Sequence, residues 1–249
     1  MTQVLLSPPL TPAAQAVAVL RRQGYAVLGR ADVCAIAGCA PEQLAALDAS
    51  WDRLPPDAYL KDGGHYRRRR HSCFVVTARR VTQVPHRAHW QPLEYNALHG
   101  GMRRWFEPIE PQIVAQAAWA QLLAGFGGVF SALRAQGESP WYVEAHQFRI
   151  DTTDGIGRPT PEGAHRDGVD YVAVFLVGRA GIKGGETRVF QADGPRGERF
   201  TLTEPWSVLL LDDARVIHES TPIQPLETQG SRDTLVLTWR MDGFMEERV

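Results

Sequence analysis

Three side chains in the C-terminal part of the sequence have the types and spacing of a metal site. His165 and Asp167 stand two positions apart, just before the apolar run 171–177. In an extended segment the side chains at i and i+2 point to the same face, so both can reach one ion. His218, which follows the apolar run 208–211, is the best candidate for a third ligand. Two imidazoles and one carboxylate on one face of an ion form a facial triad that binds Fe(II) and leaves positions open.

A histidine and an acid two positions apart carry little information alone. With 8 histidines and 28 acidic residues in 249 positions, about one such pair is expected by chance. The surrounding sequence adds the information. A Gly-Gly-Glu-Thr corner occupies 184–187, and Arg232 lies 14 positions beyond His218, where it begins a further strand-like run. Arg232 could bind an anionic ligand in the site, or it could form only a surface ion pair with a neighbouring acid.

In this order and spacing the sequence resembles the Fe(II)/2-oxoglutarate-dependent oxygenases. In that family His-x-Asp and a distal His hold iron, and a later Arg binds the far carboxylate of 2-oxoglutarate. Three phrases resemble more narrowly the bacterial branch that hydroxylates free amino acids, typified by isoleucine dioxygenases. They are Pro-Glu-Gly-Ala-His-Arg-Asp-Gly at 161–168, Gly-Gly-Glu-Thr at 184–187 and Asn-Ala-Leu-His-Gly-Gly at 96–101. The resemblance runs from about residue 55 to the C-terminus.

The resemblance implies Fe(II) as cofactor, with 2-oxoglutarate and O2 as cosubstrates. His165, Asp167 and His218 would be the catalytic metal ligands. Arg232 would bind the distal carboxylate of 2-oxoglutarate, and Thr234, on the same face of the strand, would donate a hydrogen bond to it. The implied reaction couples conversion of 2-oxoglutarate to succinate and CO2 with hydroxylation of a C–H bond. The carboxylate of Asp167 favours hydroxylation, since related halogenases have a small residue at this position.

The strand-like segment 141–151 precedes the metal motif and is expected to line the substrate pocket. Glu144 and His146 alternate along it with Gln147 and Arg149, on opposite faces. The even-numbered and the odd-numbered positions of this segment each include polar and apolar residues. The alternation therefore does not show which face of the strand points inward. All four side chains are therefore candidate substrate-binding residues, and His146 is equally well explained as a hydrogen-bonded core histidine.

Two other polar groups have simpler explanations. The run Arg67 to Arg70 precedes an apolar segment, so alternate arginines are expected to point in and out of a sheet edge in solvated or structural roles. One or two of them could still face a substrate carboxylate. His86 and His89 have no carboxylate partner at a recognisable spacing, and are expected to be ordinary polar residues.

The chain as a whole indicates a mainly β fold with supporting α: a double-stranded β-helix, or jelly roll, flanked by helices. Helical patterns dominate before residue 140, and short apolar runs with turn residues follow without a further helix. We expect a single oxygenase domain over 1–249. Within it, 1–54 is an N-terminal supporting segment, 55–140 a helix-containing region, and 141–249 the jelly-roll core with the metal site.

Composition and charge indicate which classes of binding partner are expected. A net charge of −1 argues against nucleic acid, whose binding requires a surplus of Lys and Arg. The apolar runs fall short of the ~18 residues that span a bilayer, so no membrane partner is expected. The N-terminus lacks the features of a signal peptide, which predicts a cytoplasmic protein. The three cysteines show no metal-binding spacing and are expected to be reduced. The sequence does not indicate an oligomeric state.

These patterns predict a dioxygenase that hydroxylates a small free L-amino acid, with an aliphatic side chain such as that of isoleucine, leucine or methionine. Two alternatives remain at this level. The substrate could be larger or bound to a carrier, or the chain could be a non-catalytic cupin-like module that binds a metal and a small ligand.

Overall fold

The structure is a computed structural model that describes residues 5–134 and 139–246. Its strands, in chain order, are β1 (Tyr25–Leu28), β2 (Arg67–Val76), β3 (Val81–Gln83), β4 (Trp141–Asp151), β5 (Tyr171–Ala180), β6 (Ile182–Gly184), β7 (Thr187–Gln191), β8 (Gly197–Phe200), β9 (Val208–Asp212), β10 (Val216–Ser220), β11 (Ile223–Pro225) and β12 (Ser231–Arg240). Its α-helices are α1 (Ala16–Gln23), α2 (Arg30–Ala37), α3 (Pro41–Ala45), α4 (Pro111–Val114) and α5 (Ala117–Arg134). Short 3-10 helices cover Ala13–Gln15 and Asp48–Arg53.

The strands form one large and two small antiparallel sheets. The main sheet has the order β1-β9-β5-β12-β4-β2-β3. The strands β10-β7-β8 form a second sheet, and β11-β6 a third. Val172 and Leu176 of the main sheet pack against Val189 and Val216 of the second sheet. The sheets therefore face each other as in a jelly roll, and the prediction of a mainly β fold with supporting helices is confirmed.

The main sheet is buried on both faces, for different reasons. Val143 of β4 and Leu237 and Trp239 of β12 lie on its outer face and pack with Phe130 of α5 in one apolar core. The rings of Trp239 and Phe130 are 4.7 Å apart. The side chains between these residues in each strand point inward, toward the small sheets. Inward-pointing polar groups on β2, β4 and β12 thus meet in one interior space.

Helix α5 crosses the outer face without a break. The apolar spacing from Pro108 to about Gln136 predicts a helical segment with a weak point at the glycines 125, 127 and 128, but the helix continues through them. A Cβ atom at Gly125 would lie 2.4 Å from the carbonyl oxygen of Ile36, at the end of α2. Glycine is therefore required here by close helix packing. The predicted end of this helix at Gln136 lies outside the described residues.

The N-terminal region differs in detail from its prediction. The sequence predicts a helix that ends at Gly24, a strand at 25–28 and a second helix from Pro41 to about Arg53. The strand is confirmed, as is the helix end at Gly24, which has a φ of 81°. The predicted helix from Pro41 to Arg53 is instead the short α3 followed by a 3-10 helix, and α2 was not predicted. No helix within the described ranges is long and apolar enough to cross a membrane.

Candidate active site

A cavity opens between the main sheet and the small sheets. Side chains of β2, β4, β5 and β12 line one wall, and β10 with residues from 159–169 lines the opposite wall. The segment between β3 and α4 contributes His89, Gln91 and Arg104. The lining is unusually polar for an interior, which indicates a site for charged ligands.

His165, Asp167 and His218 meet in this cavity. One ligand atom from each lies within 4.8 Å of the others, and Nε2 of His165 is 3.9 Å from Oδ1 of Asp167. The two histidines also form an isolated antiparallel bridge, in which each backbone N–H donates to the other's carbonyl at 3.0 Å. The sequence predicted this grouping of side chains, and the structure brings the three together.

The donor set fits a divalent metal. Nδ1 of His165 donates to the carbonyl oxygen of Gly163 at 2.9 Å, which leaves the Nε2 lone pair free to bind an ion. Burial raises the pKa of the Asp167 carboxyl, although His165 opposes this effect. A bound cation would offset the cost of burying this carboxylate. Two imidazoles, one carboxylate and an open cavity together suit Fe(II).

Asp213 braces the loop that carries Asp167. Its Oδ1 accepts the backbone N–H of Asp167 at 2.9 Å, and its Oδ2 accepts those of Gly168 and Val169 at 2.8 and 3.1 Å. Gly168 has a φ of 78°, and a Cβ atom there would lie 2.3 Å from the ring of Tyr95. Asp213 and the close contact with Tyr95 thus fix the backbone next to Asp167.

Arg232 and Thr234 lie at one end of the same cavity. Arg232 is 4% exposed, and no carboxylate of the described residues lies within ion-pair distance of it. Burial lowers its pKa to about 10, and Arg179 adds to the effect. A buried arginine without an acidic partner is costly, so this position suits an anionic ligand. The alternative of a surface ion pair is excluded by the burial of Arg232.

The four predicted substrate-binding residues of β4 lie on opposite faces of the strand. Glu144 and His146 line the cavity, whereas Gln147 and Arg149 lie on the opposite face. Nε2 of Gln147 donates to Oγ of Ser50 at 2.6 Å, and Arg149 binds both carboxylate oxygens of Asp233 at 2.7 Å. Gln147 and Arg149 are therefore wrong as substrate-binding predictions, because both groups are engaged outside the cavity.

Glu144 belongs to a second cluster of buried polar side chains, with His71, His89 and His146. Its Oε2 accepts from Nε2 of His71 at 2.8 Å and from Nδ1 of His89 at 2.7 Å. These separations are those of hydrogen bonds and shorter than the spacing of two ligands on one metal ion. We therefore describe the cluster as a hydrogen-bond network. His89 was expected to lack a carboxylate partner, and this part of its prediction is wrong, because Glu144 is its partner.

Arg104 is a second buried arginine that the sequence did not reveal. It is 2% exposed, and its Nη2 donates to Oε1 of Gln91 at 3.0 Å. Burial lowers its pKa to about 10, with Arg67 adding to the effect. No acidic side chain within the described ranges forms an ion pair with it. Nε2 of Gln91 in turn lies 3.5 Å from the carbonyl oxygen of Asp167, so Arg104 stands near the candidate metal ligands.

The arginine run of β2 alternates across the sheet, as expected from its strand periodicity. Arg67 and Arg69 point into the cavity, and Arg67 is held by Asp57 at 2.7 Å. Arg68 and Arg70 point away and form ion pairs with other acids. The outward pair has the structural role that the sequence indicated.

A jelly roll whose interior joins two imidazoles and a carboxylate is typical of non-haem iron oxygenases. Comparison with known proteins specifies the class further. Residues 48–238 match the family model described as 2OG-Fe dioxygenase. The chain therefore belongs to the 2OG-Fe dioxygenase family. Fe(II), 2-oxoglutarate and O2 are the cofactor and cosubstrates of this family, which confirms the predicted set.

Solved structures show the same fold. A bsmA homologue from Methylobium petroleophilum PM1 is 53% identical, with a TM-score of 0.92 over 97% of this chain and 98% of that one. IDO from Bacillus thuringiensis has a TM-score of 0.72 at 17% identity, over 96% of this chain and 100% of that one. The Fe(II)/(alpha)ketoglutarate-dependent dioxygenase TqaL has a TM-score of 0.70 at 18% identity, over 92% and 86%. At such low identity the last two show only the fold. A comparison with curated proteins finds no match.

Proposed function

We propose that this dioxygenase hydroxylates a C–H bond of a small free L-amino acid with an aliphatic side chain. The observation that carries the proposal is Arg104, a buried cation that lines the same cavity as Asp167 and forms no ion pair with any acid of the described residues. Such a group is stabilised when a ligand carboxylate binds to it. Glu144 offers the opposite charge in the same cavity. A zwitterion would therefore compensate both charges.

The remaining contacts suit an aliphatic side chain. Val174 and Val236 are adjacent on β5 and β12, and both face the cavity. Val169, two positions after Asp167, lines the cavity as well. These valines give the substrate an apolar surface near the metal position. Apolar contacts discriminate by about 1–3 kcal/mol per methylene, so we expect several related amino acids to be accepted.

The residues divide the cavity into two ends. In our proposal, His165, Asp167 and His218 hold Fe(II), and Arg232 with Thr234 binds the distal carboxylate of 2-oxoglutarate. Glu144 pairs with Thr238 in the sheet, six residues along β12 from Arg232, which corresponds to about 20 Å. One molecule of 2-oxoglutarate does not span this distance, so Glu144 belongs to the substrate end.

Bound iron supplies the oxidative decarboxylation of 2-oxoglutarate to succinate and CO2, coupled to hydroxylation of the substrate. The chain's own residues bind and orient the two organic molecules. Arg232 fixes the cosubstrate at one end, and Arg104 and Glu144 fix the substrate at the other. The valines and the sheets around them limit the entry of water.

The test is a substrate screen. Purified protein is incubated with Fe(II), ascorbate, 2-oxoglutarate and each proteinogenic L-amino acid, and succinate and the gain of one oxygen are measured by mass spectrometry. We expect hydroxylation of isoleucine, leucine or methionine, and none by the Asp167→Ala variant. If no free amino acid reacts but a peptide or carrier-bound substrate does, the amino-acid proposal is wrong and the family assignment stands.

A further inference from the structure

Glu144 and His146 present an acceptor and a donor side by side at the substrate end of the cavity. They stand two positions apart on the inner face of β4, and both are buried. Nε2 of His146 is 3.9 Å from Oε2 of Glu144. The two groups are therefore close enough to bind neighbouring atoms of one small molecule.

Arg69 fixes the proton of His146. Nη2 of Arg69 lies 2.7 Å from Nδ1 of His146, and a guanidinium can only donate. Nδ1 must therefore accept, so the proton of the neutral ring is on Nε2. Burial lowers the pKa of His146 far below its ordinary value, with His71 and His89 adding to the effect. His146 thus stays neutral and offers one N–H donor.

The position of Arg69 is itself restrained. Its guanidinium lies 3.7 Å from the ring centre of Phe106 and 4.4 Å from that of Phe148. A guanidinium packed against aromatic rings is held in place by its contacts with their faces. Arg69 therefore acts on the substrate end through His146, as a positioning residue.

Glu144 is held as an anion with one oxygen to spare. Burial alone would raise its pKa, but His89 and His71 reverse the effect and lower it well below the usual range. Both hydrogen bonds go to Oε2, and Oε1 has no hydrogen-bond partner among residues 5–134 and 139–246. Burial also lowers the pKa of His89 to about 4 and lowers that of His71.

This arrangement is the complement of an α-amino acid, whose ammonium and carboxylate groups are attached to one carbon atom. We propose that Glu144 and His146 form a clamp for the α-amino and α-carboxylate groups of the substrate. This inference rests on the proposed function and specifies how the substrate binds. Oε1 of Glu144 accepts from the ammonium group, Nε2 of His146 donates to the carboxylate, and Arg104 supplies the compensating positive charge. His71, His89 and Arg69 position the clamp.

The test compares an amino acid with its des-amino analogue, the carboxylic acid of the same carbon skeleton. Binding of each is measured by calorimetry under anaerobic conditions, with protein loaded with Fe(II) and 2-oxoglutarate. Wild-type protein should prefer the amino acid. Glu144→Gln keeps the shape and removes the charge, so amino-acid affinity should fall about 30-fold or more. Affinity for the des-amino acid should change by less than about threefold.

His146 and Arg69 have their own expected results. His146→Phe should lower the affinity for the amino acid and for the des-amino acid to a similar degree, because both ligands carry the carboxylate. Arg69→Met should raise the KM for the amino acid with little change in kcat, and Arg69→Lys should partly restore it. Glu107→Gln is the matched control, since Glu107 is exposed on the outer side of Arg70. Unchanged 2-oxoglutarate affinity shows that each variant is folded.

The outcomes separate the two proposals. If wild-type protein binds no free amino acid, the proposed function is wrong. If wild-type protein binds one, but Glu144→Gln shows the same preference for it over the des-amino acid, the clamp is wrong and the function stands. A loss of both ligands and of 2-oxoglutarate in every cavity variant would also overturn the clamp, because it would show a purely structural role.

Discussion

His165 and His218 are joined by two reciprocal backbone hydrogen bonds of 3.0 Å. The pairing places two imidazoles at one point between the sheets, with ring centres 4.6 Å apart. Asp167 follows His165 by two positions, so the same short extended segment supplies the third group. Backbone pairing therefore positions the two histidines, and the loop braced by Asp213 positions Asp167.

The first prediction concerns Asp167. Asp167→Ala should lose Fe(II) binding and 2-oxoglutarate turnover while the protein still folds, because the change removes one of three ligands. Metal affinity is measured by anaerobic calorimetry, and folding by circular dichroism. Asp193→Ala, at an exposed turn, is the control. Near-native turnover in Asp167→Ala would remove this residue from the metal site.

The second prediction concerns Arg232. Arg232→Ala should raise the KM for 2-oxoglutarate by about 30-fold to several thousand-fold, since loss of a buried charge-assisted partner costs ~2–5 kcal/mol. Arg232→Lys should have a KM between those of the wild-type protein and Arg232→Ala, because a point charge cannot bind both carboxylate oxygens in a planar fork. Steady-state succinate formation measures both. Arg240→Ala, at the other end of β12, should leave this KM unchanged. An unchanged saturation curve in Arg232→Ala would assign the role to another cation.

The third prediction concerns Arg104, whose replacement should preserve or increase stability and weaken substrate binding. Arg104→Met replaces a buried cation, which has no ion-pair partner in the part of the chain that the structure describes, with an apolar side chain. The melting temperature of the ligand-free protein should therefore be unchanged or higher. The KM for the amino-acid substrate should rise at least about tenfold, because the carboxylate loses its cation. Arg103→Met, at the exposed neighbouring position, is the control. A lower melting temperature with an unchanged KM would make Arg104 a structural residue.

The fourth prediction concerns Asp213. An asparagine at this position keeps one acceptor oxygen and cannot accept all three backbone N–H groups of the loop from Asp167 to Val169. Asp213→Asn should therefore weaken metal binding about 10- to 100-fold. Anaerobic titration with Fe(II) measures the dissociation constant. Asp212→Asn, one position away, should bind metal normally. Equal affinities in the two variants would show that the loop keeps its shape without this carboxylate.

The sequence predicted best those site residues that are close together along the chain. His165 and Asp167 are two positions apart in an extended segment, and periodicity places both on one face regardless of the rest of the fold. Arg232 begins an apolar run and His218 follows one at a distance of seven positions, so strand assignment brought them into the same prediction. The structure places His218 within a separate strand, β10. Geometry along a single strand was sufficient for these residues.

The face of β4 could not be predicted for a physical reason. One face packs against α5 and the other lines the cavity, so Val143 and Glu144 are both buried and no polar alternation marks the inside. Tertiary contacts alone separate Glu144 and His146 from Gln147 and Arg149.

His71, His89 and Arg104 were missed because their roles depend on contacts between separate segments. His71 pairs with His146 across β2 and β4, and His89 reaches Glu144 from the segment after β3. The available signal was the alternation of Arg67, Arg69 and His71 on one face of a strand. The sequence did not show that this face is the interior.

The pairing of β1 with β9 also bears on how the protein tolerates shortening. Tyr25 to Leu28 are hydrogen-bonded to Val208 to Leu211, and β1 is the last strand of the main sheet on that side. The family pattern begins only at residue 48. A chain cut there would leave the apolar β9 with unpaired backbone groups, which is a template for intermolecular strand addition. We therefore expect such a truncated chain to aggregate even though every side chain around the cavity is retained.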